Sequence, residues 1–247
     1  MDGLRAIAVM FVVLYHGYPA EFNAGQIGVD IFFVISGYLI TGLIVKDLSE
    51  NRFLLTVFYA RRVRRIFPAL ITVLLFSLAF GWYTLLSVEF EQLGRQVVAG
   101  ASFAANILYW YDVGYFDVAA EKKVLLHLWS LGVEEQFYII FPAILASIWR
   151  KFSWKLVAYL LLVAFLLSFS FVLYLWIGST SPSTAFYLPH TRFWQIFGGA
   201  ALALSQRERN RNSPVGDNIA SIVGCAFLVL SLYALREPGE FASYRSL

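Results

Sequence analysis

The chain has 247 residues, 60% of them hydrophobic and 14% charged, with a mean hydropathy of +0.68. That balance excludes an ordinary soluble domain and makes lipid the main solvent. A formal net charge of +3, carried beside apolar runs and without a polybasic tail, argues for orientation in a bilayer and against a nucleic-acid partner.

In chain order, the opening MDGLRAIAVMFVVLYHG lacks a small-residue cleavage pattern and precedes many further apolar runs, so it reads as a retained first helix. A bilayer core about 30 Å thick needs roughly 20 apolar residues. Spans are expected near 4–20, 27–46, 67–87, 132–149, 155–177, 190–206 and 218–236. Unpaired backbone is costly in lipid, so such segments are helices, and the fold expected is all-α: a polytopic transmembrane helix bundle of about 7 to 8 spans in a single domain. The segment 96–111 holds Asn106 and the aromatics Tyr109, Trp110 and Tyr111. It is expected to be re-entrant or interfacial, because a full crossing there would put Arg150 and Lys151 on the outer side.

Positive residues set the orientation. Lys46, Arg52 and Arg61–Arg65 mark one cytoplasmic connection, Arg150, Lys151 and Lys155 a second, and Arg207, Arg209 and Arg211 a third. The connections 18–26 and 178–189 are nearly free of positive charge and suit the opposite side, which makes the N-terminus cytoplasmic. The single cysteine, Cys225, lies in the apolar run IVGCAFLVL, so no disulfide framework or cysteine metal site forms within the chain, and no metal is expected.

Ionisable groups inside apolar spans cost at least about 2.5–3.5 kcal/mol each, so each one needs a reason. Arg5 and His16 are eleven positions apart, which puts them on one helix face roughly 16 Å apart. A histidine there can take a proton from a hydroxyl nucleophile, while Arg5 suits a phosphate or carboxylate. The competing reading has Arg5 snorkelling to the cytoplasmic surface and His16 at the outer interface. In GVDIFFVISGYLITG, Asp30 can cap a helix and Ser36 with Gly37 can permit close helix packing, the structural reading being preferred over a binding role. FYARRVRRIFP places Arg61, Arg62, Arg64 and Arg65 just before a span opening at Pro68. Four guanidiniums can grip a polyphosphate bidentately, and they can equally anchor the helix at anionic headgroups.

LLHLWSLGVEEQFYIIFP brings His127, Ser130, Glu134, Glu135 and Tyr138 close to one membrane boundary. Adjacent carboxylates project about 100° apart on a helix, so only one easily faces the interior with Tyr138, and first-turn acids at a helix N-terminus are the plain alternative. In FYLPHTRFWQIFGGAALA, Gly198 and Gly199 suit tight packing. Arg192, on the outer side, runs against the positive-inside bias and is a candidate contact for substrate, Glu134 or Glu135.

Together these motifs resemble the acyltransferase 3 family of integral-membrane O-acyltransferases. The resemblance rests on DGLRAIAVMFVVLYH, GVDIFFVISGYLI, FYARRVRRIFP, HLWSLGVEEQFYIIFP and RFWQIFGGAALA, in family order over nearly all of residues 1–247. It implies that Arg5 and His16 are the essential Arg-x10-His element, with His16 catalytic, and that Arg61, Arg62 and Arg65 are the RRxxR element binding the donor, acetyl-CoA. Glu134 and Glu135 complete the catalytic candidates, and Asp30, Ser36, His127, Ser130, Tyr138 and Arg192 those for substrate. The implied acceptor is a hydroxyl on a lipid-linked or surface glycan, typically lipopolysaccharide O-antigen, and the implied location is the bacterial inner membrane.

YWYDVGYFDVAAEKKVLLHLWSL resembles the subgroup in which a periplasmic SGNH domain follows. Family members usually begin several residues before DGLR and continue for roughly three more spans after Leu235. The resemblance therefore implies a chain clipped at its N-terminus and truncated at its C-terminus, without the SGNH domain. Competing readings are a transporter of acyl groups or glycan precursors, against which stands the lack of an inverted repeat, and an inactive fragment of the enzyme.

Overall fold

The computed structural model describes residues 2–18, 25, 27–112, 123–177 and 182–206, with positions 224, 226 and 230. The expected span 218–236, the connections around Arg207–Arg211 and Cys225 lie outside the described residues, apart from those three positions. All of the regular structure described is α-helical: α1 (Asp2–Gly17), α2 (Ile27–Ser49), α3 (Leu55–Thr84), α4 (Ser87–Ala101), α5 (Ala105–Tyr111), α6 (Leu128–Trp149), α7 (Trp154–Ile177), α8 (Pro182–Tyr187) and α9 (Pro189–Ser205). Four helices, α2, α3, α6 and α7, are long and apolar enough to cross a membrane. At 16 and 17 residues, α1 and α9 fall short of the roughly 20 that a perpendicular crossing needs.

The described residues fall into two compact units. One comprises the chain up to Gly42 and from Gln195 onward; the other is Leu43–Trp194.

In the first unit α1, α2 and α9 touch through small residues. Gly28 lies against the Ala8 carbonyl and the Val12 side chain, and Gly25 against the Phe11 carbonyl. Gly37 sits on the backbone of Ile196, and Gly199 on the backbone of Val34 and Tyr38. Lipid tails are as apolar as the helices, so association depends on this close approach. The packing expected of Gly37 and Gly199 is what the structure shows.

In the second unit α3 is the longest helix and starts well before the expected position. Pro68 lies inside it, and Arg61–Arg65 are helical, not a connection. The missing N–H of Pro68 leaves a helix carbonyl free, a defect that membrane helices tolerate when nearby groups adjust. Before it, the turn that follows α2 contains Asn51, whose φ of 54° is left-handed; its N–H reaches the Leu48 carbonyl and that of Arg52 the Asp47 carbonyl. Asparagine is one of the few residues that take this conformation readily, so the sequence places the stop.

Along α3 the partners change. Gly81 faces Leu93, and Leu74 faces Gly100, so α4 runs back along the second half. The Tyr59 hydroxyl donates to the Ile139 carbonyl at 2.6 Å while Arg62 reaches Glu135, so α6 opposes the first half in the same antiparallel sense. Pro142, inside α6, has no N–H to give the Tyr138 carbonyl one turn earlier, so the helix ladder is interrupted next to this contact. Half of the α6 span is buried, against 11% for α7, whose outward residues include Leu166, Leu167 and Tyr174. So broad an apolar surface is what lipid covers.

The segment 96–111, expected to be re-entrant or interfacial, is divided between two helices. α4 stops at Ala101, Phe103 takes a left-handed φ of 56°, and α5 is only 7 residues, about 10 Å long. The Ser102 hydroxyl donates to the carbonyls of Val98 and Ala99, which ends the helix. Three hydrogen bonds from two polar side chains pin the break: Gln136 donates to the Phe103 carbonyl and to Asn106 Oδ1, both at 2.8 Å, and Asn106 Nδ2 donates to the Tyr187 carbonyl. Gly132 leaves the room, since a Cβ there would lie 2.8 Å from Asn106 Oδ1. Asn106, expected in an interfacial belt, is fully buried.

Candidate active site

α1 carries Arg5 and His16 on one face, as their spacing required. The His16 Nδ1 lies 2.8 Å from the Val12 carbonyl, one turn earlier. A carbonyl only accepts, so Nδ1 carries the proton, and in the neutral ring Nε2 keeps its lone pair. His16 is exposed, with Tyr15 packed edge-on against its ring. The side chain is thus a base held in one tautomer. Arg5 is half-buried and makes no ion pair among the described residues.

In the same unit Asp30 occupies the first turn of α2, as a favourable negative charge there should. Its Oδ1 accepts a 2.8 Å hydrogen bond from Gln195 Nε2. Gln195 is almost fully buried, and its Oε1 has no partner among the described residues. Ser36 is buried beside Gly37. Sequence reasoning missed Gln195, although a glutamine inside WQIFGGAALA is the kind of costly polar residue that signals a partner.

The second unit holds the arginine-rich stretch and the acids of α6. Arg62 donates to Glu135 Oε1 at 2.5 Å, and its guanidinium carbon lies 3.8 Å from the centre of the Tyr138 ring. Glu135 and Tyr138 are buried, while Glu134, 100° round the helix, is half-buried. The prediction that one carboxylate faces inward with Tyr138 holds, and the cation that meets Glu135 is Arg62. Arg192 donates from Nε to the Phe186 carbonyl at 2.9 Å, with its guanidinium over Phe186 and Trp129.

Arg61, Arg64 and Arg65 are exposed, and Arg61 lies 3.7 Å from Asp47. At the start of α6 the Ser130 hydroxyl donates to the backbone carbonyl of His127, whose side chain is exposed. The structure therefore brings Arg62, Glu135 and Tyr138 together, and separately Asp30 and Gln195.

The model of the acyltransferase domain family, Acyl_transf_3, matches residues 1–247. The chain belongs to this family. It is a membrane acyltransferase domain whose regular structure, among the described residues, is α-helical. An uncharacterised protein of Haemophilus influenzae is 35% identical over 218 residues, covering 86% of this chain and 89% of its own length. The peptidoglycan O-acetyltransferase OatA of Listeria monocytogenes is 37% identical over 225 residues, covering 87% of this chain. The acyltransferase domain spans only 35% of the length of OatA. No solved structure matches significantly.

Proposed function

We propose that this acyltransferase domain moves an acetyl group from acetyl-CoA to a hydroxyl of a cell-envelope glycan. The observation that carries the reading is the His16 ring, with its proton fixed on Nδ1 by Val12 and its Nε2 lone pair available. The acceptor hydroxyl gives its proton to Nε2 as its oxygen attacks the thioester carbon. The carbon–sulfur bond then breaks, and the departing CoA thiolate takes the proton back from the imidazolium. Arg5, on the same face of α1, positions an anionic or carbonyl group. Arg61 and Arg65, exposed on α3, suit the phosphates of the donor.

The acceptor follows from the name of one relative and from the motifs: peptidoglycan, as for OatA, or lipopolysaccharide O-antigen. The proposed location is the inner membrane of a bacterium with the N-terminus cytoplasmic. Supporting that orientation, the opposed senses of α3 and α6 bring the connections bearing Arg52 and Arg150 to one end of the unit.

The test replaces His16 by Asn, which retains an N–H donor near the Nδ1 position and removes the base. Acetyl transfer from labelled acetyl-CoA to glycan, measured in membranes with the full-length protein, is expected to fall about 10²–10⁴-fold. Unchanged transfer in that variant would refute the assignment, and loss with peptidoglycan but not with O-antigen as acceptor would choose between the two.

A further inference from the structure

The four guanidiniums of FYARRVRRIFP do not stand alike. Positions 61, 64 and 65 share about 100° of α3, and their side chains are exposed, whereas position 62 lies at the edge of that sector, about 60° beyond Arg65 and 100° beyond Arg61. There the Arg62 side chain is only 15% exposed and its ion-pair partner Glu135 only 8%. One terminal nitrogen is engaged by the carboxylate, one face of the guanidinium is covered by the Tyr138 ring, and Nε is buried without a partner among the described residues.

A phosphate ligand needs a guanidinium edge with two parallel free N–H groups. Arg62 is poorly placed to offer one, since its side chain is largely buried, one terminal nitrogen is held by Glu135 and Nε is shut off from solvent; drawing it out to a ligand would leave a buried carboxylate unpaired. The pair is also close to neutral at a distance, so it adds nothing to the field that attracts a polyphosphate, in contrast to Arg64 and Arg65, and to Arg61, whose nearby acid Asp47 is shared with Arg52.

We propose that Arg62 and Glu135 are a positioning pair that fixes the rotation of α3 against α6, and that Arg62 is not itself a ligand of the donor. The arginine element is thereby divided: Arg62 faces inward and sets the helix, and Arg61 and Arg65 are turned outward to meet an anion. Tyr59, one turn earlier on α3, bonds to the α6 backbone and holds the same register. The role of Arg61 and Arg65 rests on the acetyl-CoA reading above, and the clamp does not.

The experiment uses the full chain in lipid nanodiscs, with two readouts: the midpoint of thermal unfolding and the Kd for CoA. R62M, which strands Glu135, is expected to lower the midpoint and weaken CoA binding. R62M/E135M, which replaces both charges by apolar groups of similar size, is expected to recover the midpoint and bring the Kd back to within about threefold of the parent. R61A/R65A is expected to keep the midpoint and weaken binding by at least about tenfold.

A double variant that regains the midpoint but stays tenfold or more weaker for CoA would make Arg62 a ligand and overturn the proposal. So would an R62M midpoint equal to that of the parent. If R62M/E135M does not fold, the swap R62E/E135R carries the same comparison. If the parent does not bind CoA, the donor reading fails, while the midpoints alone still decide whether the clamp exists.

Discussion

Two glycines in one helix should respond to the same substitution with opposite signs. Gly37 and Gly42 both lie in α2. A Cβ on Gly37 would meet the Ile196 carbonyl group, with its carbon at 2.8 Å and the Ile196 Cα at 3.0 Å, whereas a Cβ on Gly42 would have nothing within 4 Å. Ordinary contact begins near 3.5 Å and the Ile196 carbonyl oxygen lies closer still than its carbon, so Gly37→Ala requires the two backbones to part by more than about 1 Å, and neither is a flexible side chain that can swing aside. A gap of about 0.5–1 Å forfeits a quarter to a half of each dispersion contact, and the shift is also felt where Gly199 meets Val34 and Tyr38.

The expected cost of Gly37→Ala is about 1–3 kcal/mol. Gly42→Ala has only the better helix propensity of alanine to register, up to about 1 kcal/mol in its favour. With roughly 2–4 °C in Tm per kcal/mol for a chain of this size, thermal unfolding in nanodiscs followed by tryptophan fluorescence should separate the two clearly. If Gly37→Ala unfolds at or above the temperature of Gly42→Ala, the close backbone contact between α2 and α9 is not what holds them together.

Two further outcomes follow from buried polar groups. Gln136→Leu removes the donor serving both the Phe103 carbonyl and Asn106 Oδ1, and should lower stability by about 1–3 kcal/mol in the same assay. A variant as stable as the parent would mean that another group satisfies the break between α4 and α5. Asp30→Ala strands the Gln195 amide, whose oxygen already lacks a partner among the described residues, and should cost a similar amount. Asp30→Asn keeps an acceptor oxygen and should recover most of the loss, and equal loss in both variants would assign the effect to the charge.

Much of this molecule was legible in its sequence. Runs such as KLVAYLLLVAFLLSFSFVLYLWI are apolar over a length that only a helix can place in lipid, which settles both solvent and fold class. The register of Arg5 with His16 and the packing use of Gly37 and Gly199 follow from helix periodicity and the absence of a Cβ. The start of α3 was not legible. Arg61–Arg65 and Pro68 read locally as a connection, yet the helix runs through them because Arg62 gains a buried carboxylate and the Tyr59 hydroxyl meets the α6 backbone.

The sequence by itself determines a membrane-embedded helical domain, because solvent and periodicity are properties of neighbouring residues, and the order of its motifs carries the likeness to the acyltransferase family. Only the tertiary structure decides which polar groups meet. Glu135 finds Arg62, 73 positions away, and Asp30 finds Gln195, 165 positions away. Nothing local in either segment specifies such a partner. Each pairing is selected by the cost of leaving a charge or an amide unpaired in an apolar interior, and that cost exists only once the helices have come together.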